Sequence, residues 1–206
     1  MKRFLRNNGL SLVLTVLFVA FWAAQAISGW KVYTRDQSLH GAPQIDFGAY
    51  LRSAHFWQAT GENWESEFLQ MGAYVWLTSY LFQKGSAESN DPDAPESPRA
   101  AENKKRYSLL YRHSLSLGFL LLFAMSFWLH AEGGLRLSNA GNLQQGQPAE
   151  SMSEFLQSAE FWFQSFQNWQ SEFLAVLSIV VLSIFLRQDG SPESKPIEAT
   201  NSDTGI

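Results

Sequence analysis

Residues 63–69 read Asn-Trp-Glu-Ser-Glu-Phe-Leu, and residues 168–174 read Asn-Trp-Gln-Ser-Glu-Phe-Leu. The two stretches lie 105 positions apart, and the match extends toward the amino terminus, over residues 50–69 and 155–174. Eleven of these twenty positions are identical, each with its partner 105 positions later: Leu51, Ser53, Ala54, Phe56, Trp57, Asn63, Trp64, Ser66, Glu67, Phe68 and Leu69. This pattern indicates a duplicated unit.

The sequence contains four apolar runs, two in each copy of the duplicated unit. They are residues 10–26, 68–82, 112–131 and 173–186. The first run has 17 residues without a charge and spans roughly 26 Å as a helix, near the lower limit for a hydrocarbon core. We therefore predict an all-α membrane protein with four transmembrane helices in two tandem two-helix repeats. An amphipathic interfacial segment is expected before each second helix.

The first run has two interpretations. Its basic start and the Ala24-Gln25-Ala26 ending are typical of a cleaved signal peptide. The duplication favours a retained helix, because residues 112–131 repeat the pattern inside the chain at an offset of 106, where His130 stands in the place of Ala24. The shared residues are Arg6, Phe21 and Trp22 in the first copy and Arg112, Phe127 and Trp128 in the second.

Glycine-rich polar stretches separate the paired helices. Residues 28–49 and 132–148 are interpreted as loops. Each loop ends at a residue that is favourable as a helix N-cap, Asp46 in one copy and Ser151 in the other. Ser151-Met152-Ser153-Glu154 also fits a capping box. From Ser153 to Leu186 nothing in the sequence breaks a helix, so one continuous helix is expected there.

The domain boundaries follow from composition. Residues 1–89 form the first two-helix membrane repeat, and residues 104–194 form the second. Residues 90–103, rich in proline and polar residues, are predicted to be a disordered cytoplasmic linker, and residues 195–206 a disordered cytoplasmic tail.

Basic residues are distributed unevenly across the expected membrane. Eleven lie on one side: Lys2, Arg3, Arg6, Lys84, Arg99, Lys104, Lys105, Arg106, Arg112, Arg187 and Lys195. Four lie on the other: Lys31, Arg35, Arg52 and Arg136. The positive-inside rule then places both termini in the cytoplasm.

The chain resembles an uncharacterised family of small bacterial transmembrane proteins. The resemblance depends on the repeated Asn-Trp-x-Ser-Glu-Phe-Leu, on the Phe-Trp pair before it, and on the Gly-Ser-x-Glu-Ser at residues 85–89 and 190–194. It covers most of the chain and implies a multi-pass protein of the bacterial inner (plasma) membrane. It implies no activity.

Glu67 and Glu172 are the candidate functional polar pair. Each lies about three residues into an apolar helix, where ionisable groups are costly and often functional. If the two carboxylates face each other, they could share a proton or bind a cation. The alternative is structural, since a carboxylate near a helix start interacts favourably with the helix dipole or with headgroup water.

The other residues of the repeat motif are Asn63, Trp64, Ser66, Asn168, Trp169 and Ser171. The two tryptophans are expected to be interface anchors. The asparagines are expected to cap the membrane helix, or to bond between helices if the helix is continuous.

Chemistry-bearing motifs are few. There is no cysteine, and the four histidines are scattered without a second ligand at metal spacing. No P-loop and no serine-hydrolase motif occurs. We expect no catalytic residue, no cofactor, no metal and no nucleic-acid partner. The lipid bilayer is the expected partner, with a second copy or another membrane protein as alternatives for a protein partner.

The sequence thus predicts a non-enzymatic integral membrane protein with a structural, interaction or envelope-stress role. The alternative is a small transporter or channel subunit with a proton or cation site at Glu67 and Glu172.

Overall fold

The computed structural model describes residues 2–39, 41, 43–94 and 106–205, and within them the protein is all-helical, as predicted. These described residues contain seven helices: α1 (Lys2–Leu39), α2 (Phe47–Tyr50), α3 (Ala54–Leu77), α4 (Leu109–Arg112), α5 (Ser114–Gln144), α6 (Met152–Phe155) and α7 (Ala159–Phe185).

Helices α1 and α5 are longer than expected. The predicted loops at residues 28–49 and 132–148 are wrong in their first parts, because α1 continues to Leu39 and α5 to Gln144. Gly29 and Gly134 do not break these helices. A Cβ on Gly29 would overlap the Tyr50 side chain, and one on Gly134 would lie 2.6 Å from Phe155 Cζ. The glycines make room for an aromatic ring from the next helix.

The predicted caps are confirmed, but they begin short helices. Asp46 accepts the Ala49 amide at the start of α2, and Ser151 forms the capping box with Glu154 at the start of α6. The continuous helix expected from Ser153 is wrong. The helical backbone is interrupted after each short helix, where Ser53 and Ser158 are extended, and these two serines cap the long helices α3 and α7.

Helix α3 lies at the centre of the protein and contacts α1, α5 and α7. It runs antiparallel to α5 at very close range. A Cβ on Gly61 would lie 2.5 Å from the His130 backbone nitrogen, and one on Gly133 would lie 2.7 Å from the Gln58 nitrogen. Further along, Gly72 faces Phe119. Small residues let the two backbones approach, as is common between membrane helices.

Two aromatic cores flank this pair, and their residues correspond at an offset of 105. The first is built on Ala26, Tyr50 and Phe56 between α1, α2 and α3. The second is built on Ala131, Phe155 and Phe161 between α5, α6 and α7. The apolar side chains around them correspond in the same way, with Trp22, Trp57 and Leu51 matching Phe127, Trp162 and Leu156.

Three helices of the described part are long and apolar enough to cross a membrane, namely α1, α5 and α7. The expected fourth span, residues 68–82, is not among them. Helix α3 ends at Leu77 and carries Glu62, Glu65 and Glu67 before its apolar part. Its polar character is explained by its position, because three other helices pack around it.

The chain after α3 packs against the end of α7 and against the chain that follows it. Ser86 Oγ and Ser183 Oγ are hydrogen-bonded at 3.0 Å. The ammonium of the buried Lys195 donates to the carbonyl oxygens of Gly85, Thr200 (3.0 Å) and Asp203 (2.9 Å). Residues of the predicted tail form turns there. Of the predicted linker, residues 95–103 lie outside the described residues.

Candidate functional site

Glu65 is the most completely enclosed acidic residue of the described chain, with 0% of its surface exposed. It projects from α3 toward the second half of the protein. Its Oε1 accepts hydrogen bonds from Ser165 Oγ at 2.9 Å and from Trp169 Nε1 at 3.2 Å. Its Oε2 lies 3.1 Å from His130 Nδ1. Three polar side chains from α5 and α7 therefore meet one carboxyl group of α3.

His130 is equally buried and stacks on Phe161, with ring centroids 4.8 Å apart. Its Nε2 lies 3.1 Å from Gln164 Oε1, and the same oxygen accepts from Gln58 Nε2 at 3.0 Å. With Gln164 oriented in this way, its oxygen can only accept, so His130 Nε2 carries a proton. One further proton then lies between His130 Nδ1 and Glu65. In either position of that proton, the pair is neutral overall.

A second bridge lies one turn away. Asn168 Nδ2 donates to Glu62 Oε1 at 2.6 Å. Gln58, Glu62 and Glu65 follow the spacing i, i+4, i+7 and therefore lie on one face of α3. We call the residues that meet at this face the polar junction: Gln58, Glu62, Glu65, His130, Gln164, Ser165, Asn168 and Trp169. It joins α3 to α5 and α7.

The predicted pair Glu67 and Glu172 lies outside the polar junction. Glu67 is exposed, and Glu172 is half-buried. The two carboxylates are close enough for Glu67 to act electrostatically on Glu172. Glu67 lies in the wall of an open cavity between α1 and α3.

The remaining motif residues divide between the two copies. In the second copy, Asn168 and Trp169 belong to the polar junction, so Asn168 bonds between helices. In the first copy, Asn63 donates to the Ala59 carbonyl of its own helix at 2.7 Å. Trp64 packs on Trp22, with centroids 5.5 Å apart. Ser66 and Ser171 each donate to a carbonyl one turn earlier, Asn63 and Asn168, both at 2.8 Å.

Sequence reasoning missed Glu65 and His130. The counterpart of Glu65 is Gln170, so Glu65 is not part of the repeated identity. His130 was compared with Ala24 at an offset of 106, but the cores correspond at 105, which pairs His130 with Gln25. The i, i+4, i+7 spacing of Gln58, Glu62 and Glu65 is the signal that would have found the polar face.

The geometry does not match a catalytic triad, although serine, histidine and glutamate are all present. In a triad the histidine lies between the nucleophile and the acid. Here Glu65 lies between Ser165 and His130, and all three side chains are fully buried. Within residues 2–39, 43–94 and 106–205, no three His, Cys, Asp or Glu side chains are grouped as metal ligands.

A family model described as a domain of unknown function (DUF6766) matches residues 1–206. The chain belongs to this family. Neither the curated proteins nor the solved structures contain a match. Membership agrees with the predicted resemblance to an uncharacterised family, and it assigns no activity to the polar junction.

Proposed function

We propose that this protein is a non-enzymatic helical scaffold of the membrane, whose two halves are held together by the polar junction. The observation that supports this proposal is the full burial of Glu65 with three hydrogen-bond partners from α5 and α7. A carboxylate in that position stabilises the protein only when all its partners are present. Removing one partner of a buried charged pair typically costs about 3–5 kcal/mol.

The enclosure of the junction favours a scaffold over an enzyme. A substrate would have to displace the contacts that hold α3, α5 and α7 together before reaching Glu65, His130 or Ser165. Buried polar groups between membrane helices hydrogen-bond across them and fix which helices pack together. The polar junction has this arrangement.

For topology, we propose that α3 crosses the bilayer together with α5, giving four spans with both termini in the cytoplasm of a bacterial inner membrane. Helix α3 lies along α5 from Gly72 at Phe119 to Gly61 at His130. If α5 crosses, α3 occupies the same depth. The eleven-to-four distribution of basic residues supports the orientation. Reporter fusions at residues 95 and 206 should be cytoplasmic and one at residue 40 external; a cytoplasmic result at residue 40 would contradict this topology.

The scaffold role is tested by complementing a deletion strain under acid and envelope stress. Variants Glu65→Ala, Glu65→Gln and His130→Gln should lose complementation in proportion to their loss of stability in lipid nanodiscs. Gln170→Ala, at the exposed counterpart of Glu65 on α7, is the matched control and should retain both. A junction variant with wild-type stability and no complementation would indicate a chemical role instead.

A second candidate function is cation or proton transport at Glu67 and Glu172. The observation that favours it is the electrostatic proximity of these two carboxylates near an open cavity. Proteoliposomes distinguish the candidates. Flux that is present in the wild type and lost in Glu67→Gln or Glu172→Gln would favour transport, and absence of flux would favour the scaffold.

A further inference from the structure

A cavity of about 700 Å³ lies between α1 and α3, on the side of α3 away from the polar junction. Its volume is within the range of small-molecule sites. We call it the α1/α3 groove, and its principal wall residues are Phe18, Phe21, Trp22, Gln25, Trp64 and Glu67.

Aromatic rings form most of the wall. Trp22 and Trp64 have centroids 5.5 Å apart, and Phe18 lies 5.9 Å from Trp22 and 6.0 Å from Trp64. Phe21 is 70% exposed at the edge of the groove. The faces of such rings attract cations, tryptophan most strongly.

Glu67 is the only charged side chain among the described residues that line the groove. No lysine, arginine or histidine of the described chain shares the wall with it. An exposed carboxylate beside aromatic rings is a favourable place for a cation, because the rings and the carboxylate attract it together.

Among the described residues of the second half, the positions equivalent to Gln25 and Trp64 are covered by α3. Trp169, the counterpart of Trp64, donates to Glu65, and His130, the counterpart of Gln25, bonds to Glu65 and Gln164. Helix α3 thus covers those positions in the second half. In the first half no described helix covers them.

We propose that the α1/α3 groove binds an organic cation with apolar substituents, an ammonium or phosphonium, whose charge is held by Glu67 and whose body lies against Trp22, Trp64 and Phe21. This site is separate from the polar junction and does not depend on the scaffold role. The same chemistry could be supplied by a free lipophilic cation or by the ammonium headgroup of phosphatidylethanolamine.

The test uses the full chain in nanodiscs of phosphatidylglycerol and two probes of nearly equal shape, tetraphenylphosphonium and tetraphenylborate. Binding is measured by equilibrium dialysis and by the change in tryptophan fluorescence. Tetraphenylphosphonium should bind saturably, and tetraphenylborate should not. Glu67→Gln should weaken binding by roughly tenfold or more, and Phe21→Ala by a smaller factor.

Glu160→Gln is the matched control, because it removes one exposed acidic charge from α7 away from the groove. It should leave binding unchanged. Adding phosphatidylethanolamine to the nanodiscs identifies the source: competition with tetraphenylphosphonium supports the lipid headgroup as occupant, and unchanged affinity supports a free cation. Equal binding of the two probes, or unchanged affinity in Glu67→Gln, would overturn the proposal.

Discussion

The two halves of this protein share their apolar packing and differ in their polar contacts. Phe56 and Phe161 occupy corresponding places in corresponding cores. The neighbouring hydroxyl positions, Thr60 and Ser165, are both fully buried but have different partners. Thr60 accepts from the Trp22 indole at 3.3 Å, whereas Ser165 donates to Glu65 at 2.9 Å.

The difference follows from one substitution and one asymmetric contact. Phe127 stands where the first half has Trp22, so no indole N–H reaches Ser165 from α5. Helix α3 packs against both α5 and α7. Helix α1, in contrast, packs chiefly against α3 among the long helices. Corresponding positions therefore face protein in the second half and an open groove in the first. The two apolar cores are alike because each is packed from residues of its own half. The polar positions differ because those of the second half bond to Glu65 of the first half.

The largest expected effect distinguishes Glu65 from its counterpart Gln170. Glu65→Ala should lower the free energy of unfolding by about 3–5 kcal/mol, because it leaves His130, Ser165 and Trp169 without their shared partner. Gln170 is exposed, so Gln170→Ala should change the free energy of unfolding by less than about 0.5 kcal/mol. Reversible unfolding in mixed micelles measures both. Similar losses at the two positions would remove the proposed asymmetry.

The close approach of α3 and α5 is the next feature to test. Gly61→Ala should cost about 1–3 kcal/mol, since the added methyl would meet the backbone at Leu129 and His130. Gly118→Ala on α5 is the control, because its Cβ would enter open space. That change should stabilise by about 0.5–1 kcal/mol through helix propensity. The counterpart of Gly61 is Phe166, which is 56% exposed. Should Gly61→Ala prove neutral, the close crossing of the two helices would be wrong.

These positions show what the sequence could predict. The cap-forming residues Asp46 and Ser151, which lie 105 positions apart, predict where α2 and α6 begin. The apolar runs predict α1, α5 and α7. Gly29 and Gly134 are typical of loops when only their local sequence is considered. Their role in the helices depends on packing against Tyr50 and Phe155, about 20 positions away, which the local sequence does not show. The candidate site was missed for a related reason. Comparing copies emphasises what the copies share, and the polar junction is made by residues in which they differ.

A smaller effect is expected at the repeated tryptophans. Trp169→Phe removes the indole N–H that bonds to Glu65 and should cost about 0.5–1.5 kcal/mol. Trp64→Phe keeps the aromatic packing with Trp22, and its indole N–H has no partner among the described residues, so it should cost less. Thermal unfolding in nanodiscs compares the two variants. A larger loss for Trp64→Phe would mean that the two copies use this residue alike.

The smallest effect concerns pH and the pair Glu88 and Glu193, which also lie 105 positions apart. Burial and the neighbouring Glu193 carboxyl raise the pKa of Glu88, and the hydrogen bond from the Tyr74 hydroxyl at 2.6 Å opposes this shift. The pKa of Glu88 is higher in the folded protein than in the unfolded chain. The contribution of Glu88 to the free energy of unfolding is therefore fully present below the unfolded pKa and is lost as pH rises through the folded pKa. Glu88→Gln should remove this pH dependence from thermal unfolding curves. If the wild-type protein became more stable relative to Glu88→Gln as pH rises, the raised pKa of Glu88 would be wrong.

The central claim is that Glu65 and His130 act as one coupled pair that holds the two halves together. A double-mutant cycle with Glu65→Gln and His130→Gln measures this coupling directly from the free energies of unfolding. We expect a coupling energy of about 0.5–3 kcal/mol, and a matched cycle of Glu67→Gln with His130→Gln should be additive. Additivity of the Glu65 and His130 substitutions to within about 0.3–0.5 kcal/mol would show that the two residues are not coupled.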